Sequence, residues 1–287
     1  MRLCRFGEGR LGLVDGARVR DVTAALELLP ACRYPFPTYD VMVANLDRLR
    51  PRIEALAGEA SSVPLEGLPL HSPVANPGKI IAAPVNYQTH LQEVRTDPAL
   101  HHNNPGHQVT IHNAGVFLKA SSSIAGAGEG IEICQPDRRT DHEVELACVI
   151  GRTVPRGSAD GGLSCVAGYA IGLDITIRGS EDRSLRKSPD GYSVLGPWLV
   201  TADEVPDPAN LDLAVSVNGV ERQRSNTRRL ILGVAELIAL ASRFYTLHPG
   251  DIIYTGTPDG VGPIVAGDVI SASIGGIGSM EVQVRGH

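Results

Sequence analysis

The chain has 287 residues, 43% of them hydrophobic and 20% charged, with 26 Lys+Arg against 32 Asp+Glu and a formal charge of −6. That balance excludes wholesale disorder, and the acidic excess argues against a general nucleic-acid binder, which would need a basic face. A membrane span is not expected either: the longest apolar helical stretch, near Val234 to Ala241, is short and carries Glu236.

In chain order, the start MRLCRFGEGR is charged where a secretion signal would need an apolar run. Cys4, Cys32, Cys134, Cys148 and Cys165 are odd in number and scattered without a C-x-x-C pair. They suggest neither a zinc knuckle nor a disulfide framework and fit a reducing cytoplasm. Residues 1–72 read as a small N-terminal α/β unit. Strands are expected at Arg2–Phe6 and Arg10–Val14 around an Asp15-Gly16 turn, with a helix over Asp40–Ala57 interrupted or kinked by Pro51. The turn-rich run His71-Ser-Pro-Val-Ala-Asn-Pro-Gly78 marks the boundary.

Residues 73–287 are predicted to be mostly β, giving an α+β chain without the regular alternation of a doubly wound fold. Strands are expected at Lys79–Ala83, Gly115–Leu118, Glu143–Ile150, Ala167–Leu173, Leu211–Val217, Asp251–Thr255, Val269–Ile274 and Glu281–Val284. Asn218-Gly219 is the strongest hairpin signal. Leu230, Val234, Leu237, Ile238, Ala241 and Phe244 keep a helical period that Pro249-Gly250 closes. The glycine clusters at 126–130 and 275–278 lack the spacing and following helix of a dinucleotide fingerprint and read as turns.

The segment Asp141-His-Glu143-Val-Glu145-Leu-Ala-Cys-Val-Ile150 carries the chemistry. On a strand Glu143 and Glu145 share one face, with Val144, Leu146 and Cys148 on the other. Alone, the pair reads either as an exposed strand end or as two buried like charges that need a cation or a proton. Asp174, ending the apolar run from Val166, favours the cation: three carboxylates from neighbouring strands make an oxygen-only site for Mg²⁺ or Mn²⁺, with Ca²⁺ also admissible. Lys119, Arg178 and Lys187 are candidate cations beside it. His90 and Glu93, three apart, would lie side by side on a helix as a water-activating dyad, although H-x-x-E is common on solvated helices.

Taken in order, these segments resemble the fumarylacetoacetate hydrolase family. The matching run is Asn86-Tyr87, His90, Glu93, Val116-Phe-Leu-Lys119, Glu143-Val-Glu145-Leu, Gly168-Tyr, Asp174 and Arg178. It continues through Lys187, Asp190, Tyr192, Gly196-Pro197-Trp198, Leu247, Pro249-Gly250-Asp251 and Thr255-Gly-Thr257-Pro-Asp-Gly-Val-Gly262, covering about residues 79 to 285. The resemblance implies a mixed β-roll or sandwich holding one divalent metal, usually Mg²⁺ or Mn²⁺, commonly in a cytoplasmic homodimer. It implies Glu143, Glu145 and Asp174 as metal ligands and His90 with Glu93 as the catalytic dyad on a lid segment. Lys187 would act at the polarised oxygen, and Lys119, Arg178, Glu181, Tyr192 and Thr257 would contact substrate.

Relatives cleave carbon–carbon bonds in β-diketo acids such as acylpyruvates, as in aromatic-compound catabolism. Others decarboxylate, hydrate or tautomerise 2-oxo acids, and a non-catalytic binding protein is the third alternative. Three departures stand out. Glu181 replaces a Gln that can bond substrate, so an acidic group at that end is expected to be disfavoured. Ala120 replaces a Pro that often follows the lysine. The stretch 96–112 holds His101, His102, His107 and His112 and reads as an extended polar loop beside the lid rather than a second metal site.

Overall fold

The computed structural model describes residues 1–96, 100, 110–158 and 162–286. Within them the strands form one large mixed sheet of twelve strands, a five-stranded sheet and a three-stranded sheet. The centre of the large sheet runs Arg2–Phe6, Ser193–Thr201, Val166–Asp174, Val144–Ile150, Ile252–Tyr254, Ile80–Ala82 and Phe117–Lys119. Val144–Ile150 and Val166–Asp174 pair antiparallel from Val144↔Leu173 to Val149↔Gly168 before the register shifts.

Both faces of the Val144–Ile150 strand are buried. Val144, Leu146, Cys148 and Ile150 enter one core with Leu213, Val215, Ile270 and Val282 of the five-stranded sheet. Ala147 and Val149 enter a second core with Val43, Val74, Leu195 and Tyr254. A strand covered on both sides reads as a continuous apolar run, and each buried Val or Leu contributes roughly 1.5–3 kcal/mol. This is the frame that carries Glu145 and, at the same end of the paired strands, Glu143 and Asp174.

The first 72 residues keep an apolar core of their own, with Leu3, Leu11, Val22, Leu46, Leu49 and Ile53. Their strand Arg2–Phe6 nevertheless joins the large sheet through Arg2↔Val200 and Leu3↔Leu199. The helix expected over Asp40–Ala57 is two, Val41–Ala44 and Leu46–Glu59, and the second passes through Pro51. The break falls at Asn45, whose Nδ2 donates to the Val41 carbonyl at 2.8 Å, a local bond that competes with the helical ladder.

The expected hairpin at Asn218-Gly219 joins Asp212–Val217 to Val220–Asn226. The late helix is Val234–Ser242, and Phe244, expected on its buried face, lies beyond its end and is exposed. The cluster Gly126 to Gly130 is a short turn packed on the strand Leu70–His71: a Cβ at Gly126 would sit 2.2 Å from the His71 carbonyl carbon. Ser193–Thr201, a central strand, was not expected. Gly196 and Pro197 interrupt its pattern, and they fall where pairing with Val166–Asp174 skips from Ile171↔Gly196 to Tyr169↔Val200.

Candidate active site

Glu143, Glu145 and Asp174 converge at one end of the large sheet. They are 4%, 2% and 2% exposed, so the solvated-strand-end alternative does not apply. One carboxylate oxygen from each lies within 4.8 Å of the others. Glu143 sits just before its strand, where its carbonyl accepts from Asp174 N–H at 2.9 Å and locks the two ends together.

The cations predicted from sequence do surround this group. Lys187 Nζ donates to Glu143 Oε2 at 2.7 Å, Asp174 Oδ2 at 2.6 Å and Thr176 Oγ1 at 2.7 Å. Lys119 Nζ donates to Asp174 Oδ1 at 2.5 Å and to the Tyr192 carbonyl at 2.8 Å. Arg178 bridges Glu143 Oε1 at 2.8 Å and Asp141 Oδ2 at 2.7 Å. Burial alone would raise the Glu143 carboxyl, but Lys187, Arg178 and His90 outweigh it and hold the group below the ordinary carboxylate range. Glu145 goes the other way: burial and the neighbouring Asp174 push it well up, although Lys187 and the Gly256 amide oppose this. Burial lowers Lys119, whereas Asp174 and Glu143 overcome the same penalty at Lys187 and raise it. Three clustered oxygen donors, one of them bonded by no side-chain cation among the described residues, fit a hard divalent ion.

The loop Thr255-Gly-Thr-Pro-Asp-Gly-Val-Gly262 is a source of backbone donors. Gly256 N–H donates to Glu145 Oε2 at 2.6 Å, and Gly260 N–H to Glu93 Oε1 at 2.9 Å. Gly256 has φ +99°, and a Cβ there would lie 2.7 Å from that of Asn86, so only glycine fits this close approach. Asn86 in turn donates to the carbonyls of Thr255 and Leu232, at 2.7 and 2.8 Å, and accepts from Leu232 N–H. These bonds fix the start of the helix Gln88–Thr96 beside Val85, whose φ of +45° is uncommon for a β-branched residue.

On that helix His90 Nδ1 and Glu93 Oε2 are 2.8 Å apart. The network assigns the Nδ1 proton to the carboxylate contact, leaving Nε2 as the basic nitrogen. His90 is buried and lines a cavity of about 300 Å³ together with Glu143, Glu145, Arg178, Lys187 and Thr257. Glu181 also borders it, but Arg138 occupies that carboxylate through contacts of 3.0 and 2.8 Å. The repulsion expected there toward an acidic ligand is thereby offset.

Two predicted contacts lie elsewhere. Tyr192 is fully buried with its hydroxyl 3.4 Å from Cys134 N, and only its carbonyl reaches the centre, through Lys119. Lys119 lies behind Asp174, with its side chain wholly inaccessible. Ala120, where relatives often have Pro, donates its N–H to Ser188 Oγ at 2.9 Å, a bond proline could not make. His101, His102 and His107 lie outside the described residues, while His112 belongs to the short helix Ile111–Ala114.

Sequence reasoning missed Gln223, which reaches in from the five-stranded sheet. Its Oε1 accepts from Val144 N–H at 3.1 Å, and its Nε2 donates to Thr257 Oγ1 and the Pro258 carbonyl, both at 2.8 Å. Nothing local marks it, since its partners are 34 to 81 residues away in sequence. Asp141, at the head of the segment that carries the carboxylates, accepts from both Arg139 and Arg178 at 2.7 Å.

A mixed β fold whose strand ends present three buried carboxylates, with a His–Glu pair beside them, is the arrangement that the resemblance to the fumarylacetoacetate hydrolases implies. Residues 79–285 match the family model described as Fumarylacetoacetate (FAA) hydrolase C-terminal, and the chain belongs to that family. It is 54% identical over 285 residues to maleylpyruvate hydrolase of Aquipseudomonas alcaligenes, with 99% of each chain covered. It is 34% identical over 307 residues to 2,4-didehydro-3-deoxy-L-rhamnonate hydrolase of Sphingomonas sp. (strain SKA58), covering 99% of this chain and 96% of that one. Among solved structures, maleylpyruvate hydrolase from Sphingobium sp. SYK-6 in complex with manganese (II) ion and pyruvate superposes with a TM-score of 0.83 at 40% identity, covering 100% of this chain and 99% of that one.

Proposed function

We propose that the protein is a divalent-metal-dependent hydrolase that cleaves the C–C bond between the two carbonyls of an acylpyruvate, as in the breakdown of aromatic compounds. The observation that supports this most is His90, held by Glu93 and set into the same cavity wall as Glu143 and Glu145. An enolate-forming decarboxylase has no need of a group that activates water; a hydrolase does.

Glu143, Glu145 and Asp174 would hold the ion, Mn²⁺ or Mg²⁺. When bound, it supplies Lewis acidity to the 2-oxo acid end and charge stabilisation to the departing enolate. Arg178 and Lys187 orient the substrate carboxylate and keto oxygen, and Thr257, fixed by Gln223, borders the same space. His90 Nε2 takes a proton from water while Glu93 holds the ring. The water oxygen bonds to the distal carbonyl carbon, the adjacent C–C bond breaks, and its electron pair leaves as pyruvate enolate. Lys187 faces that developing charge, and the proton returned from His90 to carbon completes pyruvate alongside the released carboxylic acid.

The proposal also takes residues 1–72 as an accessory domain to a catalytic domain at 73–287, with the active form a cytoplasmic homodimer. Incubating chelated, Mn²⁺-loaded and Mg²⁺-loaded protein with acylpyruvates and quantifying pyruvate tests the central reading. Pyruvate and the matching acid should appear in equal amounts only with metal. Metal-independent release, or carbon dioxide in place of the acid, overturns it.

A further inference from the structure

Lys119 closes the strand Phe117–Lys119 at the edge of the large sheet, where Ile80↔Lys119 pairing fixes its backbone. Its side chain is wholly inaccessible, and it is not among the residues that line the cavity. The contact with substrate that the family resemblance implied is therefore closed to it.

What the ammonium does touch is well defined. It donates to Asp174 Oδ1 at 2.5 Å and to the Tyr192 carbonyl at 2.8 Å, and it stands 5.3 Å from the centre of the Tyr254 ring. A carboxylate, a carbonyl and a ring face all favour the charged lysine. Lys187 takes the other oxygen, Asp174 Oδ2, at 2.6 Å, and Asp174 N–H donates to the Glu143 carbonyl at 2.9 Å. Asp174 is thus held at both oxygens and at its backbone by protein groups alone.

The same balance extends outward. As a group, Glu143, Glu145, Asp174 and Asp141 stand against Lys119, Lys187, Arg178 and Arg139, one cation for each carboxylate. A set of carboxylates so matched is stable without an ion, and a divalent ion entering it brings charge that the set does not offset. Arg178 and Lys187 line the cavity, and Arg139 reaches solvent with a side chain 32% exposed. Lys119 does neither, so its charge acts through Asp174.

We propose that Lys119 is a positioning residue that serves as a permanent counter-ion: it keeps Asp174 in place in the metal-free protein and, by its charge, limits how tightly a divalent ion binds. Position and affinity are set against each other at one buried ammonium. A neutral side chain there leaves Asp174 short of a partner until the ion arrives, and the ion then meets one opposing charge fewer. The inference rests on the assignment of the ion to Glu143, Glu145 and Asp174, not on the identity of the substrate.

Two variants test this: Lys119→Met, which keeps the length without the charge, and Lys119→Gln, which keeps a donor without the charge. Mn²⁺ is titrated calorimetrically into the chelator-stripped full chain, and thermal unfolding midpoints are read with and without the ion. The variants should bind Mn²⁺ at least tenfold more tightly than wild type. Their metal-free midpoints should fall, and saturating Mn²⁺ should raise them by more than it raises wild type. An Mn²⁺ affinity unchanged or weakened in whichever variant folds overturns the inference, because a lysine that merely shaped Asp174 would give that result. Failure of both variants to fold even when purified with Mn²⁺ overturns it as well. Wild type that binds no Mn²⁺ would remove the metal assignment and the inference with it. Neither readout involves turnover, so the hydrolase reading stands or falls separately.

Discussion

The large sheet carries charge at two places, and they obey different physics. Where its strands end at the cavity, Glu143, Glu145 and Asp174 are almost completely removed from water, and each is tied by donors from Lys187 or the Gly256 loop. At the seam with the N-terminal unit, the Met1 ammonium meets Glu204 at 2.7 Å, and Arg50 meets Asp203 at 2.9 Å. There the acids are about half exposed, with side-chain exposures of 45% and 57%. Water does most of the work of stabilising a charge at the seam. At the cavity only fixed partners can do it, so each partner counts for far more. The acidic excess of the chain is therefore uninformative as a total. What separates a functional carboxylate from a solvating one is how many protein donors replace its water.

The sharpest way to break this contrast is to remove one cavity carboxylate. Glu143→Ala should abolish Mn²⁺ binding by calorimetry and lower turnover by on the order of 10³-fold, the scale of deleting one preorganised electrostatic group. It also takes one partner each from Lys187 and Arg178, so Glu143→Gln, which keeps the shape, separates charge from packing. Unchanged metal affinity in both variants would mean the ion is held elsewhere.

Next in size is the dyad. His90→Ala should lower kcat by roughly 10²–10⁴-fold while leaving metal affinity intact, because the imidazole faces the cavity and is not one of the clustered oxygens. Glu93→Gln should cost less, since its one amide oxygen can still meet either the ring N–H or the Gly260 N–H, although not both. A hydrolase that kept full kcat without His90 would need another base, and the decarboxylase alternative would then regain its footing.

Gln223→Ala probes whether a neutral group in the same dry environment matters as much as the charges. It strips Val144 N–H and the Thr257 hydroxyl of one partner each inside the protein. The expected loss is roughly 1–3 kcal/mol of stability, read from urea unfolding midpoints, together with a raised KM as Thr257 loosens. Gln223→Glu, with a similar shape but a buried charge, should be the worse of the two.

How much of this could be read from the chain alone depends on the range over which each residue acts. Glu143, Glu145 and Asp174 were legible because a carboxylate that borders a long apolar run is drawn into the core with it and there needs a cation or a proton. The helix over Val234–Ser242 was legible because its apolar period is local. Ser193–Thr201 was not, because Gly196-Pro197 carries a strong breaker signal, whereas the sheet absorbs it at a shift in register. Gln223 and Tyr192 were misjudged or missed for one reason: which way a buried polar side chain points is decided by partners far off in sequence.

The smallest effect belongs to the seam, and there the pH dependence is the useful signature. Hydrogen bonding from Arg50, with help from Thr201, lowers the Asp203 carboxyl from 3.8 to about 2. A depressed carboxyl contributes stability above its unfolded value, and that contribution is lost as pH falls through the folded one. Asp203→Asn should therefore cost little at pH 7, about 0.2–1 kcal/mol for so exposed a pair. The gap between variant and wild type, read from urea midpoints, should hold steady from pH 7 to about 4 and narrow between about 4 and 2, following the two values. It should also shrink in high salt, which screens a solvated pair but not a buried one. A loss of several kcal/mol in Asp203→Asn, insensitive to salt, would mean that the seam is as dry as the cavity and would erase the distinction between the two ends of the sheet.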